Sequence, residues 1–199
     1  MPAETGQAHR DFVELTYTIG KDYPLWALPL RAQLKTLLDT DKHPFYTGAR
    51  LKLFVAYRDG KPVGRIAAID DDTHNSVHNE QTCHFGFFEC HDDHDAAAAL
   101  FGAVENEARS LGHTRIRGPF NPSVSDEIGV QIDAFDTPNF VMIPSNPPYY
   151  QRLVEAQGLE KSVDLYCYRM SVDEMRPRLG ETVPQIEKRL GIRIRKLNK

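Results

Sequence analysis

One segment of this 199-residue sequence strongly restricts the folds available, because two runs of alternating residues flank a turn signal. Leu51, Leu53 and Val55 occupy every second position of the first run, and a second β-rich run covers 62–69. Alternation with a period of two is typical of strands, and Asp59-Gly60 suits a tight turn because glycine tolerates positive φ. The sequence therefore predicts a β-hairpin with strands over 51–57 and 63–69.

The remaining elements alternate between predicted helices and strands. The strongest helix is 95–111, where Asp95 can cap the N-terminus, four alanines follow and Gly112 ends the run. A meander of strands followed by alternating helices and strands predicts an α/β protein, specifically an α+β mixed sheet with helices on both faces. The other predicted elements are helices at 12–19, 28–38 and 147–157, strands at 83–90, 115–118 and 163–171, and a polar loop at 70–81.

Charge and cysteine content exclude several classes of protein. The net charge of −4 argues against a broad nucleic-acid surface. No run of about 20 apolar residues predicts a transmembrane segment, and the first residues lack the apolar core of a signal peptide. Three cysteines without a close pair fit free thiols in a reducing compartment. We therefore expect a cytoplasmic protein without a nucleic-acid partner.

The C-terminal region predicts a change of organisation. We expect one domain over 1–175, followed at 176–199 by a tail or by the start of a second domain. The alternation at 191–195 resembles the beginning of a strand. A homodimer would be one way to cover the edge that such a strand presents.

Histidines and cysteines are dense between 74 and 94. The spacing of His74 and His78 would place them on one face of a helix, as zinc ligands often are. The segment predicts a loop, however, and neighbouring residues such as Cys83 and His84 alternate sides of a strand. We therefore expect no metal site. The other members of this set are Cys90, His91 and His94.

The segment beginning at Asn146 carries a family resemblance. Asn146-Pro147-Pro148-Tyr149-Tyr150, followed by glycine and a hydrophobic residue at 158–159, resembles the late segment of the GNAT-type acyl-CoA N-acyltransferase superfamily. The predicted element order is also similar to the GNAT fold after its first strand. This resemblance implies a GNAT-like fold and acyl-CoA or CoA as co-substrate. It also implies that a tyrosine of this helix protonates the leaving thiolate.

A narrower resemblance extends over about 12–170. Several blocks together resemble a family of bacterial acyltransferase-like proteins, some of which are linked to ceramide synthesis. That resemblance implies a long-chain acyl group and a lipid amine as acceptor. The blocks are His-Pro-Phe-Tyr at 43–46, Gly-Arg-Ile-Ala-Ala at 64–68, His-Asn at 74–75, Phe-Gly-Phe-Phe-Glu at 85–89, Arg-Gly-Pro-Phe-Asn at 117–121, Asp-Glu-Ile-Gly at 126–129 and Asn-Pro-Pro-Tyr-Tyr at 146–150.

The loop before the strongest helix departs from the superfamily pattern. GNAT enzymes hold the CoA pyrophosphate in a glycine-rich loop at this position, whereas 89–95 has no glycine and contains Glu89, Asp92, Asp93 and Asp95. Acidic groups at a helix N-terminus stabilise the helix but repel a diphosphate. A non-catalytic GNAT-like binding module is therefore the alternative to an enzyme.

Four residues are candidates for catalysis, each with a structural alternative. Glu127 or Glu89 could take the proton of an attacking amine, and Tyr149 or Tyr150 could supply one to sulfur. Glu127 could instead belong to a helix-capping box with Ser123 or Ser125. Glu89 could be a solvated strand end, and the tyrosines could simply pack.

Further residues are candidates for binding the thioester. They lie in the blocks that carry the resemblance, beside the ends of the predicted strands. Arg117, like Arg65, could clamp an anion or form a structural ion pair with a nearby acid. The candidates are Phe88, Cys90, Asn121, Asn146 and Arg117.

Overall fold

The computed structural model describes residues 1–140, 142–193 and 195. The chain divides into two compact units, Met1–Val163 and Asp164–Lys199. The first unit holds the sheet and all the candidate residues. The predicted division into a domain at 1–175 and a tail or second domain at 176–199 stays a prediction.

The first unit is a mixed sheet flanked by helices. Its four main strands lie in the order β1-β2-β3-β4, with β1, β2 and β3 antiparallel and β4 parallel to β3. The predicted hairpin is confirmed, and Asp59 and Gly60 both have positive φ in its turn. The elements are α1 Gly6–Gly20, α2 Arg31–Leu37, β1 Ala49–Arg58, β2 Lys61–Asp71, α3 Asp72–His78, β3 Thr82–Cys90, α4 His94–Ser110, β4 Arg115–Arg117, β5 Phe120–Asn121, β6 Glu127–Ile128 and α5 Tyr150–Glu155.

Each face of the sheet carries its own apolar core. On one face, Phe85 and Phe88 of β3 pack with residues of α4 and α5, including Phe101 and Leu153. On the other face, Phe87 packs with residues of α1. The predicted helix at 95–111 is confirmed as α4, where Asp93 rather than Asp95 caps the N-terminus by accepting a hydrogen bond from Ala96 N at 3.0 Å.

A β-bulge interrupts β3 opposite Ile66. Arg65 pairs with Glu89 and Ala67 with Gly86, so two residues of β3 face one residue of β2. Phe87 has φ 50° there, which is unusual for a bulky side chain. The extra residue reverses the alternation of β3, so that Glu89 lies on the face covered by α1.

Three secondary-structure predictions were wrong. The segment at 70–81, predicted as a polar loop, contains α3. Asp71 caps the N-terminus of this helix by accepting a hydrogen bond from His74 N at 2.8 Å. The predicted helix at 28–38 is shorter, because the chain becomes helical only at Arg31. Residues 163–171 lie in no strand, since none of the strands of the described chain pairs with them.

The second unit contains one long helix among its described residues, α6 Val172–Leu190. The predicted strand at 191–195 falls partly outside the described residues, and the described positions 191–193 and 195 are not in a strand. None of the helices described here is long and apolar enough to cross a membrane.

Candidate active site

The C-terminal half of β3 loses its neighbouring strand. β4 pairs only with Thr82 to His84, and beyond that point β5 approaches instead. A Cβ on Gly86 would lie 1.6 Å from the carbonyl oxygen of Phe120, so only glycine allows this approach. The backbone of β3 beyond Gly86 is therefore free to bond with side chains from later parts of the chain.

A buried ion pair lies under this end of the strand. Arg65 Nη2 is 2.8 Å from Glu89 Oε1, and the two side chains are 3% and 10% exposed. Thr16 of α1 donates a hydrogen bond to the same oxygen at 3.0 Å, and Arg65 also donates to Phe12 O at 2.8 Å. Glu89 Oε2 is buried and has no hydrogen-bond partner among the described residues. Burial raises the pKa of Glu89, while Arg65 opposes that shift.

Glu127 lies next to this pair. It is in β6, opposite Asn121 of β5, and it is half-buried. Its pKa is raised first by burial and then by the nearby charge of Glu89, whereas the Asn121 side chain within hydrogen-bonding reach lowers it. The two carboxyl groups predicted as alternative bases are therefore neighbours. The capping-box interpretation of Glu127 was wrong, because Glu127 lies in β6 and the next helix of the described residues begins only at Tyr150.

Asn121 connects Glu127 with the bulge. Its Oδ1 accepts a hydrogen bond from Phe87 N at 2.6 Å, so its side-chain nitrogen is directed away from the strand. The same side chain is thus fixed by the backbone of β3 and lies within reach of Glu127. Asn121 positions the Glu127 carboxyl relative to the bulge.

The two tyrosines bind the last residue of β3. Tyr150 OH accepts a hydrogen bond from Cys90 N at 2.9 Å, and Tyr149 OH donates to Cys90 O at 2.9 Å. Burial raises the pKa of both phenols. The charge of Glu89 raises the pKa of Tyr150 further, and Tyr23 raises that of Tyr149 further. Since Tyr150 uses its oxygen as the acceptor, its hydroxyl proton is left to donate elsewhere. The Tyr149 hydroxyl, in contrast, already donates its proton to Cys90 O.

The acidic loop is neutralised by arginines. Arg58 donates to both carboxylate oxygens of Asp93 at 2.7 Å, and Arg152 lies 2.5 Å from Asp92. The Arg58 hydrogen bonds lower the pKa of Asp93 to about 2. Asp95 lies 3.6 Å from Arg58 and Glu89 is bound by Arg65, so each of the four carboxylates has a guanidinium partner.

The remaining candidates divide into two groups. The Phe88 ring packs on Phe101 and Tyr150 with centroid distances of 5.1 and 5.2 Å, so it belongs to the core beside the tyrosines. Asn146 accepts from Gln131 N at 2.7 Å and donates to Gln131 O at 3.2 Å, which closes a loop next to α5. Arg117 instead pairs with Glu80 at 3.1 Å, toward the other end of β3.

Three histidines form a cluster of ring contacts, which the sequence did not predict because it placed His74 and His78 in a loop. The rings of His74 and His78 lie 4.5 Å apart, and His84 lies 4.6 Å from His74. Burial lowers the pKa of His84 to about 4. Among the described residues, no group of three or more His, Cys, Asp or Glu side chains has a geometry that could hold a metal ion.

Sequence reasoning missed Thr16 and Tyr23. Thr16 lies on the buried side of α1 with Phe12, Leu15 and Ile19, and it is 1% exposed. A hydroxyl on the apolar face of a helix needs a buried hydrogen-bond partner. The position of Thr16 in the sequence therefore could have indicated a polar group beneath α1. Tyr23 has no comparable signal in the sequence, because its link to Tyr149 depends on the folding of a distant segment.

The class of fold follows from a comparison with solved structures. The chain has a GNAT-like fold, as in an aminoglycoside acetyltransferase from an uncultured soil metagenomic sample crystallised with sisomicin. The TM-score is 0.50 over 85% of this chain and 93% of that one, at 14% identity. The fold predicted from the sequence is confirmed. No family model matches the sequence.

Two relatives confirm the narrower resemblance. The chain is 35% identical over 170 residues to a bacterial ceramide synthase of Caulobacter vibrioides, covering 85% of this chain and 44% of that protein. It is 33% identical over 184 residues to protein YghO of Escherichia coli, covering 92% of this chain and 47% of that protein. The chain thus spans less than half the length of each of these relatives.

Proposed function

We propose that this chain belongs to an N-acyltransferase, which moves an acyl group from a CoA or carrier thioester to an amine. The observation that carries the proposal is the pair of neighbouring carboxyl groups, Glu89 and Glu127, at the open end of β3. Tyr150 lies at the same end of the strand, with a hydroxyl proton available. A base and an acid beside an unpaired strand edge are what aminolysis of a thioester requires.

In the proposed reaction, the amine nitrogen forms a bond to the acyl carbonyl carbon and the carbon–sulfur bond breaks. Glu127 takes the proton released by the amine, because its raised pKa brings it closer to neutral pH. Tyr150 gives its proton to the departing thiolate. Glu89 is bound by Arg65 and Thr16, so we assign it to positioning and to the local electric field rather than to proton transfer.

The nature of both substrates is part of the proposal. The name of the Caulobacter relative supports a long-chain acyl group and a lipid amine for this chain as well. The Phe88 and Cys90 side chains are buried in the core, so they would support the place where α5 approaches β3 rather than touch the thioester. We also propose that the reaction takes place in the cytoplasm, in keeping with the three free cysteines.

A second candidate is a non-catalytic GNAT-like binding module. The observation that favours it is the N-terminus of α4, where Asp93 bonds to Ala96 N and to Arg58. A carboxylate of the protein thereby occupies the helix end that could otherwise bind a phosphate group. In this alternative the chain would bind a thioester or a partner without performing chemistry.

The two candidates differ in the effect of Glu127→Gln. In a protein as long as the relatives, we expect this variant to lose about 100-fold or more in acyl transfer while binding palmitoyl-CoA normally in calorimetry. The matched control is Asp126→Asn, which removes the neighbouring carboxylate and should leave transfer unchanged within about threefold. Unchanged transfer in Glu127→Gln, together with no heat from either CoA or palmitoyl-CoA, would contradict the enzyme.

A further inference from the structure

The two units of the chain carry charges of opposite sign. Met1–Val163 contains 23 aspartates and glutamates against 15 lysines and arginines, which gives a net charge of −8. Asp164–Lys199 contains nine lysines and arginines against five acidic residues, which gives a net charge of +4. A partner with a negative surface therefore attracts the second unit and repels the first.

The helix of the second unit, α6, presents one apolar stripe. Val172, Met175, Val183, Ile186 and Leu190 fall within an arc of about 80° at 3.6 residues per turn. All of them except Val183 are at least 36% exposed. An apolar stripe is normally buried against another surface, so this face of α6 is left uncovered by the described residues.

The polar residues of α6 lie away from this stripe. At the same periodicity, Pro177, Pro184 and the exposed Glu181 and Lys188 all fall on the far side of the helix. The prolines therefore leave the apolar stripe uninterrupted. A helix with one apolar face and one charged face is suited to lie in the plane of a membrane surface, with the charged face toward water.

A basic cluster lies at the end of the apolar stripe. Lys188, Arg189, Arg193 and Arg195 are exposed, and they occur at the end of α6 and just beyond it. Each cationic side chain near an anionic bilayer increases the affinity about fivefold. An anionic bilayer matches both features of the second unit, because it offers phosphate groups to the cluster and hydrocarbon to the stripe.

The residues before α6 add exposed aromatic rings. Tyr166 and Tyr168 are 76% and 90% exposed, and their ring centroids lie 6.5 Å apart. Leu165 and Met170 of the same run are also exposed, and 165–170 lies in neither a helix nor a strand. Tyrosine is enriched where a bilayer meets water. A fluid bilayer buries such irregularly placed groups without the shape complementarity of a folded partner, so lipid is favoured over an acidic protein.

We propose that the second unit binds the surface of an anionic membrane. The apolar stripe of α6 and the two tyrosines lie at the level of the lipid head groups, and the basic cluster pairs with the lipid phosphates. The inference goes beyond the proposed function and is independent of it, because this binding requires neither a thioester nor an amine.

Flotation of the 199-residue chain with lipid vesicles tests the proposal. We expect binding to vesicles of phosphatidylcholine and phosphatidylglycerol in a ratio of about two to one, and binding at least about tenfold weaker to phosphatidylcholine alone. Raising the salt concentration from about 0.1 M to about 0.5 M should weaken the binding without abolishing it, because salt screens charges and leaves apolar contacts in place.

Two double variants separate the cluster from the stripe. Arg189→Gln with Arg193→Gln should weaken binding to the anionic vesicles about twentyfold. Ile186→Gln with Leu190→Gln should weaken it about tenfold, and salt should then abolish the remaining binding. Arg109→Gln, at an exposed position in the last turn of α4, is the matched control and should leave the affinity unchanged.

Several outcomes would overturn the proposal. They are equal binding to the neutral and anionic vesicles, full binding by both double variants, and no binding to either kind of vesicle. If light scattering shows a dimer that Ile186→Gln with Leu190→Gln converts to a monomer, and vesicles do not bind, the stripe joins two copies of the chain instead.

The outcome for the membrane surface is distinguishable from the outcome for the proposed function. Glu127→Gln should bind anionic vesicles as the parent protein does, whether or not acyl transfer is lost. Vesicle binding by a protein of the relatives' length that transfers no acyl group supports the membrane surface and contradicts the enzyme. Acyl transfer without vesicle binding supports the enzyme and overturns the membrane surface.

Discussion

The two ends of β3 differ in the groups to which their backbone atoms are hydrogen-bonded. At the first end, Cys83 and His84 pair with strands on both sides, so their backbone groups bond within the sheet. At the other end β4 is absent, and the backbone bonds to side chains instead. Asn121 bonds to Phe87, and Tyr149 and Tyr150 bond to Cys90.

This difference shows where a ligand can compete with the protein. A backbone group bound within a regular sheet is difficult to release, because its neighbours hold the whole strand in place. A group satisfied by one side chain can exchange that partner at the cost of one hydrogen bond, about 0.5–1.5 kcal/mol. The bulge that ends the regular pairing also directs Glu89 into the interior, so the exchangeable backbone and the buried carboxylate occur together.

The largest effect should come from breaking the buried pair at the bulged end. Arg65→Met leaves Glu89 buried without its cationic partner, which we expect to cost about 3–5 kcal/mol of unfolding free energy. Urea denaturation measures this loss. The double variant Arg65→Met with Glu89→Met removes both charges and should recover most of the stability. A loss below about 1 kcal/mol in the single variant would mean that water reaches the pair.

The regular end should respond to pH through His84. Burial and the charge of His74 lower its folded pKa to about 4 from an ordinary 6.5, whereas Asp71 and Glu80 oppose the shift and Arg117 adds to it. The unfolded chain therefore takes up a proton at higher pH than the folded chain, so stability is lost as the pH falls. Between pH 7 and 5 we expect a loss of about 2 kcal/mol from this group.

His84→Phe is the variant that isolates this effect. It preserves ring packing against Phe120 and removes the buried Nε2 that has no partner in the described structure. Between pH 7 and 5, its unfolding free energy should fall by about 2 kcal/mol less than that of the parent protein. The exposed His78, changed to Gln, serves as control. Identical pH dependence in His84→Phe and the parent protein would contradict the assignment.

A smaller effect should follow from removing one hydroxyl at the bulged end. Tyr150→Phe leaves Cys90 N without its acceptor, which we expect to cost about 1–2 kcal/mol in thermal or urea unfolding. Tyr149→Phe should cost less, because its ring is only half-buried and the Cys90 oxygen can be reached by water. If the order of the two variants were reversed, Tyr149 would be the residue that holds the end of the strand.

The smallest effect is expected at the rim of the regular end. Arg117 and Glu80 form an ion pair with side chains 31% and 25% exposed, so solvent screens their attraction. Arg117→Gln should leave the unfolding midpoint within experimental error, and added salt should not change that result. A clear loss of stability would show that the Glu80 and Arg117 pair holds α3 and β4 together.

Much of the fold was predictable because its signals are local. The hairpin of β1 and β2 follows from alternation and an Asp-Gly turn, and α4 follows from alanine-rich helix propensity with acidic residues at its start. The helix α3 was missed, because asparagine and serine have low helix propensity and the Asp71 cap was not recognised. The residues 163–171 alternate like a strand but lie in no strand of the described chain.

By itself, the sequence determined the hairpin of β1 and β2, the strand β3, the strongest helix and the identity of the candidate carboxylates and tyrosines. Only the tertiary structure decided which of them meet. Thr16 and Glu89 are 73 positions apart, and Cys90 and Tyr150 are 60 positions apart. The bulge decided the direction of Glu89, because one extra residue in a strand moves every later side chain to the opposite face. Such a shift comes from the packing of Phe87 against α1 and its bond to Asn121, which no local pattern records.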